Sequence, residues 1–253
     1  MIEGLKASLE RLDLEYVDIV YAHRPDRLTP MEETVRAFNY VIENGLAFYW
    51  GTSEWSADEI SEACGIAKDL KMIPPIVEQP IYNIIDRKKV EGEFQRLYKR
   101  CGLGLTTYSP LKMGLLSGKY NGALNGPPSG SRFSESKDRF AEFMRENYGN
   151  EEWKDNVGKV AKLKVRSHPF TSHEADHIKP IAERLGATQS QLALAWCLKN
   201  DNVSSVITGA SRPQQIVENV KCLQVLGKLT PEVMDEIDSL VGSRPALDPA
   251  RQD

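Results

Sequence analysis

His23 follows directly on an apolar run, Tyr16-Val-Asp-Ile-Val-Tyr-Ala22, and that position makes its imidazole a candidate for chemistry at a strand end. A strand-end histidine by itself is more often structural than catalytic, so its case rests on its company. Polar or glycine clusters recur after each later apolar run: Thr52-Ser53-Glu54, Glu78-Gln79, Tyr108-Ser109-Pro110 and Gly209-Ala210-Ser211. Parallel-sheet enzymes gather their sites at the C-terminal ends of strands, so five such clusters predict one shared rim. Gly209-Ala210-Ser211-Arg212 before Pro213 combines a glycine turn, a hydroxyl, a cation and a helix N-terminus, a set suited to an anion. Two nucleotide motifs are excluded. No Gly-x-Gly-x-x-Gly occurs, and Gly114-Leu-Leu-Ser-Gly118-Lys119-Tyr120 is one residue short of a Walker loop and ends in Tyr, not Ser or Thr.

The elements that must position these residues alternate between helix and strand. Leu5, Leu9 and Leu12 recur at helical spacing over Ile2 to Leu12, before a buried strand over Tyr16 to Ala22. Thr29 as an N-cap hydroxyl, Pro30 at the first position and Glu32 and Glu33 in the first turn predict a helix that ends at Asn44-Gly45. Strands are predicted over Ala47–Gly51, Pro75–Gln79, Gly104–Tyr108 and Ser204–Thr208. Helices are predicted from Ser56 to about Leu70, Lys88 to Lys99, Thr188 to Leu198, Pro213 to Leu223 and Pro231 to Leu240. The Gly/Pro/Ser-rich stretch from Ser109 to about Phe133 reads as a functional loop. Five strands alternating with helices predict an α/β fold with a parallel sheet, and both the open doubly wound sheet and the closed eight-stranded barrel satisfy that pattern.

Composition narrows the class further. The 253 residues carry a formal charge of −4 and are 41% hydrophobic and 27% charged, which excludes collagen-like, mucin-like and disordered chains. No run approaches the ~18 apolar residues of a membrane span, so no membrane insertion is expected, and the amphipathic start lacks the apolar core of a secretory signal. Without a basic stripe, nucleic-acid binding is not expected. Cys64, Cys101, Cys197 and Cys222 form no Cys-x-x-Cys, which points to free buried thiols in a reducing cytoplasm and to no metal site.

Several longer motifs make the chain recognisable. Gly4-Leu-Lys-Ala-Ser-Leu-Glu-Arg-Leu12, Arg24-Pro-Asp26, Thr29-Pro-Met-Glu-Glu-Thr-Val-Arg36 and Tyr49-Trp-Gly-Thr-Ser53 lie in the first quarter. Tyr108-Ser-Pro-Leu111, Ser117-Gly-Lys-Tyr120 and Leu192-Ala-Leu-Ala-Trp-Cys-Leu198 follow. With these, the sequence resembles the aldo-keto reductases, and among them the beta subunits of voltage-gated potassium channels. The resemblance implies a (β/α)8 TIM barrel, incomplete here at about five strands, that binds NADP(H) at its C-terminal rim and delivers hydride to an aldehyde or ketone. It implies that Ser53 and Gln79 hold the nicotinamide carboxamide and that Tyr108 stacks on the ring. Ser109, Pro110 and Leu111, with Lys119, would follow the pyrophosphate and ribose. Arg132, Gly209, Ser211, Gln215, Glu218 and Asn219 would hold the adenosine 2′-phosphate end, with Gln215 and Asn219 sharing one helix face beside the adenine. His23 corresponds to the histidine that polarises the substrate carbonyl while a tyrosine donates the proton. Glu54 departs from the pattern, because an acid beside a pyrophosphate is unfavourable unless it points away. The partners implied are a small carbonyl substrate, a potassium channel alpha subunit and a homotetramer, with catalysis vestigial in the regulatory alternative.

Two further expectations follow. The family's tyrosine, aspartate and lysine belong to three βα units that would precede Tyr16, so the chain reads as the C-terminal two-thirds of a reductase, weak or inactive as it stands. Residues 165–179, which include His168, His173 and His177, interrupt the resemblance. Their spacing makes a weak metal site. A Val codon begins GT, Lys can be AAG, and Ala-Asp can be read as GCTGAC, so the segment reads as a retained intron or, alternatively, as a surface-loop insertion.

Overall fold

Short-range signals set the elements, and long-range packing sets their order. In the computed structural model, which describes residues 1–120, 127–129, 131–146, 148 and 178–246, five strands and their connecting helices follow the predicted alternation. Helix α1 (Ile2–Leu12) buries Leu9 and stops at Asp13, which takes a left-handed conformation. Strand β1 (Val17–Ala22) leads to α2 (Met31–Glu43), and Gly45 at φ 69 turns the chain into β2 (Ala47–Ser53). Helix α3 (Ala57–Asp69) precedes β3 (Val77–Gln79), a π-helical segment (Lys88–Glu93) and α4 (Gln95–Cys101). After β4 (Gly104–Thr107) come a 3-10 segment (Lys112–Ser117), α5 (Arg132–Glu135) and α6 (Arg139–Glu146). The last group is α7 (Ile178–Arg184), α8 (Gln189–Leu198), β5 (Val203–Val206), α9 (Pro213–Val220), α10 (Leu223–Leu226) and α11 (Pro231–Val241).

The strand order decides between the two candidate architectures. All five strands are parallel and lie in sequential order β1-β2-β3-β4-β5. A doubly wound sheet reverses direction at a switch point, whereas an unbroken sequential order is an arc of barrel wall. Stacking of Phe38 on Trp50, with centroids 4.9 Å apart and planes 12° apart, holds α2 against β2. Asn39, itself buried, donates to the Ile73 carbonyl at 3.0 Å and accepts from its N–H at 2.8 Å, fixing the approach to β3. On the other face Tyr21 reaches across the sheet to Thr106, with the two hydroxyls 2.9 Å apart. Gly51 makes this crossing feasible, since a Cβ there would lie 3.1 Å from the Tyr21 ring and 2.5 Å from Val77.

The structure corrects four expectations. Ala22 is the only buried residue of β1, because no strand covers its outer edge among the described residues. Thr29 is not an N-cap: its hydroxyl donates to Asp26 at 2.8 Å, and Pro30 takes the cap position without a side-chain bond. The helix foreseen over Lys88–Lys99 splits at Phe94, whose N–H donates to Lys89 in a wide turn that buries both Val90 and Phe94. All four thiols are free as expected, yet Cys64 and Cys101 are half-buried rather than buried. Residues 165–177, with their three histidines, lie outside the described residues, and Ile178 and Lys179 open α7.

Candidate functional site

The β4–β5 pairing brings together two loops that are about a hundred residues apart in sequence. Leu105 pairs with Val203 and Thr107 with Val206, so the chain after each strand emerges at the same rim. Ser109, Pro110, Leu111 and Lys119 from the first loop face Gly209, Ser211, Gln215 and Asn219 from the second across a groove of about 830 Å³. Met113, Ser136, Thr208 and Arg212 also line it, and no motif had singled out the first three.

The first loop is strained and held. Ser109, Lys112 and Met113 have φ of 56°, 46° and 55°, a region that non-glycine residues enter at a cost of roughly 1–3 kcal/mol each. Two groups from the loop after β3 oppose that cost. Asp86 receives Lys112 Nζ at 2.8 and 2.7 Å, and Asn83 Nδ2 donates to the Ser109 carbonyl at 3.1 Å. Gly114 at φ 94° leaves space for Lys119, because a Cβ there would lie 2.7 Å from the lysine Cε and 2.8 Å from its Nζ. Lys119 is half-buried; burial lowers the affinity of its amine for a proton, and no carboxylate pairs with it among the described residues. A desolvated ammonium facing a groove suits an anion.

At the second loop the chain caps itself. Gln215 Oε1 accepts the N–H groups of Ser211 at 2.8 Å and Arg212 at 3.2 Å, so its carboxamide oxygen stands where the helix N-terminus would receive an anion. This modifies the expectation for Gln215, which shares the groove face with Asn219 while its oxygen is engaged by the turn. Glu218 does not line the groove. Its carboxylate takes Lys221 at 2.6 Å, and its carbonyl accepts Gln191 Nε2 at 2.9 Å. Arg132 opens α5, and its side chain lies outside what the structure describes.

The remaining predicted residues stand at the ends of β1, β2, β3 and β4. His23 is exposed at the end of β1. Ser53 and Gln79 are register partners, and the Ser53 hydroxyl donates to the Gln79 carbonyl at 3.0 Å. Tyr108 is half-buried with its phenol facing Arg24 and Glu54; burial first, then the Glu54 charge, pushes its titration up. Glu54 points away from the groove. Its carboxylate accepts the Ile81 N–H at 2.6 Å and Lys89 at 2.9 Å, with Arg24 at 3.6 Å. Burial opposes its charge, but these donors outweigh burial and hold the group below the usual carboxylate range. The acid flagged as unfavourable is thus neutralised by two cations. Lys89, Asp86 and Asn83 went unrecognised in sequence because each acts through a partner more than twenty residues away.

A family model described as the aldo/keto reductase family matches residues 1–241. The chain belongs to the aldo/keto reductase family. Among the relatives of this reductase-family chain, a probable voltage-gated potassium channel subunit beta of Oryza sativa subsp. japonica is 52% identical over 246 residues, which cover 97% of this chain and 68% of that protein. A protein of the same description from Arabidopsis thaliana matches with the same identity and coverage. The family accounts for the sequential strand order, and general oxidoreductase chemistry comes with membership. Among the described residues, no three His, Cys, Asp or Glu side chains stand close enough to hold a metal ion, and no helix is long and apolar enough to cross a membrane.

Proposed function

We propose that the chain binds NADPH along the rim and serves the reduction of aldehydes or ketones. The carrying observation is the groove, where residues from two distant loops converge on a half-buried Lys119 that has no carboxylate paired with it among the described residues. The residues fit the cofactor. Lys119 supplies a cation for a phosphate, Gly114 leaves the space its stem needs, and the side chains of Arg212 and Asn219 offer donors at the opposite wall. Ser109, Pro110 and Leu111 line the same groove and would follow the pyrophosphate. Ser53 and Gln79 stand at the β2 and β3 ends to hold a carboxamide, and Tyr108 supplies a flat face beside them. The dinucleotide would supply hydride to a carbonyl carbon, and solvent water the proton that completes the alcohol. His23, exposed at the neighbouring strand end, holds and polarises the carbonyl oxygen.

Lys119→Met tests the reading by titration of NADPH fluorescence. Loss of a charge-assisted contact to phosphate weakens binding by roughly tenfold or more. Failure of the unaltered chain to bind NADPH would overturn the assignment.

A second reading is favoured by the relatives' description at 52% identity. In it the chain acts in the cytoplasm as a cofactor-sensing subunit of a potassium channel, assembled as a homotetramer. Co-purification with a channel tetramerisation domain supports that reading, and its absence from the same preparation removes it.

A further inference from the structure

Behind the His23, Ser53 and Gln79 cluster lies a carboxyl group to which neither the family resemblance nor the proposed mechanism gives a role. Glu78 is fully buried on β3, directly before Gln79. Both of its oxygens accept hydrogen bonds from the end of β2. Oε1 takes the Trp55 N–H at 3.2 Å, and Oε2 takes the Thr52 hydroxyl. Trp55 is also buried, and its indole Nε1 donates to the Ala22 carbonyl at 3.2 Å, one residue before His23. A continuous path therefore runs from the Glu78 carboxyl through Trp55 to the strand end that carries the imidazole. A second path runs through Thr52 to Ser53, whose own hydroxyl is tied back to Gln79.

We propose that Glu78 is a positioning residue, whose carboxyl group clamps the Thr52–Trp55 corner and thereby sets Ser53, Gln79 and His23 for the nicotinamide end of the cofactor. The cofactor part rests on the function proposed above, whereas the clamp itself does not. The corner needs such a clamp because Glu54, at its centre, has φ 59°, a conformation that a non-glycine residue adopts only when its surroundings enforce it. The charged groups facing Glu78 are Lys89, from the π-helical segment, and Glu54, from the corner itself. Loss of the acceptor leaves the Trp55 N–H buried without a partner, which loosens the corner while the adenosine end, formed by the β4 and β5 loops, keeps its own supports.

The test compares the whole chain with Glu78→Met, which removes the acceptors, and Glu78→Gln, which keeps one for Trp55. Amide and indole hydrogen exchange is read at Trp55, with the Trp50 indole, bonded to Ile73 at 2.8 Å, as an internal control. The affinities for NADPH and for 2′,5′-ADP, which lacks the nicotinamide half, are measured alongside. In Glu78→Met, Trp55 protection falls while Trp50 protection holds. NADPH binding weakens by about tenfold, 2′,5′-ADP binding is unchanged, and Glu78→Gln stays within about threefold of the unaltered chain. If the Trp55 amide of the unaltered chain exchanges as fast as an exposed amide, the clamp is overturned, a result that needs no variant to fold. Equal losses for NADPH and 2′,5′-ADP would reduce Glu78 to general structural support and overturn its positioning role. If Trp55 responds as expected but the unaltered chain binds neither ligand, the cofactor reading fails and the clamp stands.

Discussion

Glu78 and Lys119 are two buried or half-buried ionisable groups with opposite consequences for the molecule. Burial pushes the Glu78 carboxyl up from 4.5 to about 7, against the pull of Thr52 and Lys89. The folded chain therefore holds its proton more tightly than the unfolded chain does. Stability from this group is fully present below the ordinary carboxylate pKa and is lost as pH rises toward 7, by roughly 3 kcal/mol in all. Urea denaturation at pH 5 and pH 8 should show the loss, and Glu78→Gln should flatten it; an equally steep slope in that variant assigns the effect elsewhere. Lys119 was legible as part of Ser117-Gly-Lys-Tyr120, because its motif is local. Glu78 was visible only as a neighbour of Gln79, because its partners Thr52 and Trp55 lie on β2 and in the corner after it.

Helix ends were legible where the cap lies within one turn and obscure where a distant group decides. Ser56 and Glu59 form a reciprocal capping box at α3, as Thr188 and Gln191 do at α8. Ser56→Ala should cost about 1 kcal/mol in chemical denaturation. Thr29 also offered a cap hydroxyl, but that hydroxyl is drawn to Asp26 three residues earlier and Pro30 takes the cap position. The ends of α11 are capped locally by Thr230 and Gly242, but its docking rests on a remote contact. Arg87 is buried with its guanidinium 4.8 Å above the Trp196 ring, paired with Glu91 at 2.7 Å and with Asp238 of α11 at 2.6 Å. Asp238→Ala removes the bond that ties α11 to the π-helical segment and leaves the buried guanidinium half-paired, a loss of about 3 kcal/mol. A loss under about 1 kcal/mol in urea titration would show that Glu91 alone satisfies the cation.

The sheet as a whole sets which backbone groups are protected. Strands β2, β3 and β4 have neighbours on both sides, whereas β1 and β5 each have one among the described residues. Amide exchange should be fastest in β1 and β5 and slowest in β3, and uniform protection across all five would indicate that the outer edges are covered in solution. The sequence by itself determined the alternation of helix and strand, most helix boundaries, and the gathering of polar residues after each strand, because periodicity and capping act over a few residues. Tertiary structure alone decided the rest. Strand pairing chose the barrel arc over the doubly wound sheet and joined Ser109–Lys119 to Gly209–Asn219 in one groove. Those outcomes depend on contacts between segments that adjoin only once β4 and β5 are side by side, and no local pattern encodes which loops will meet.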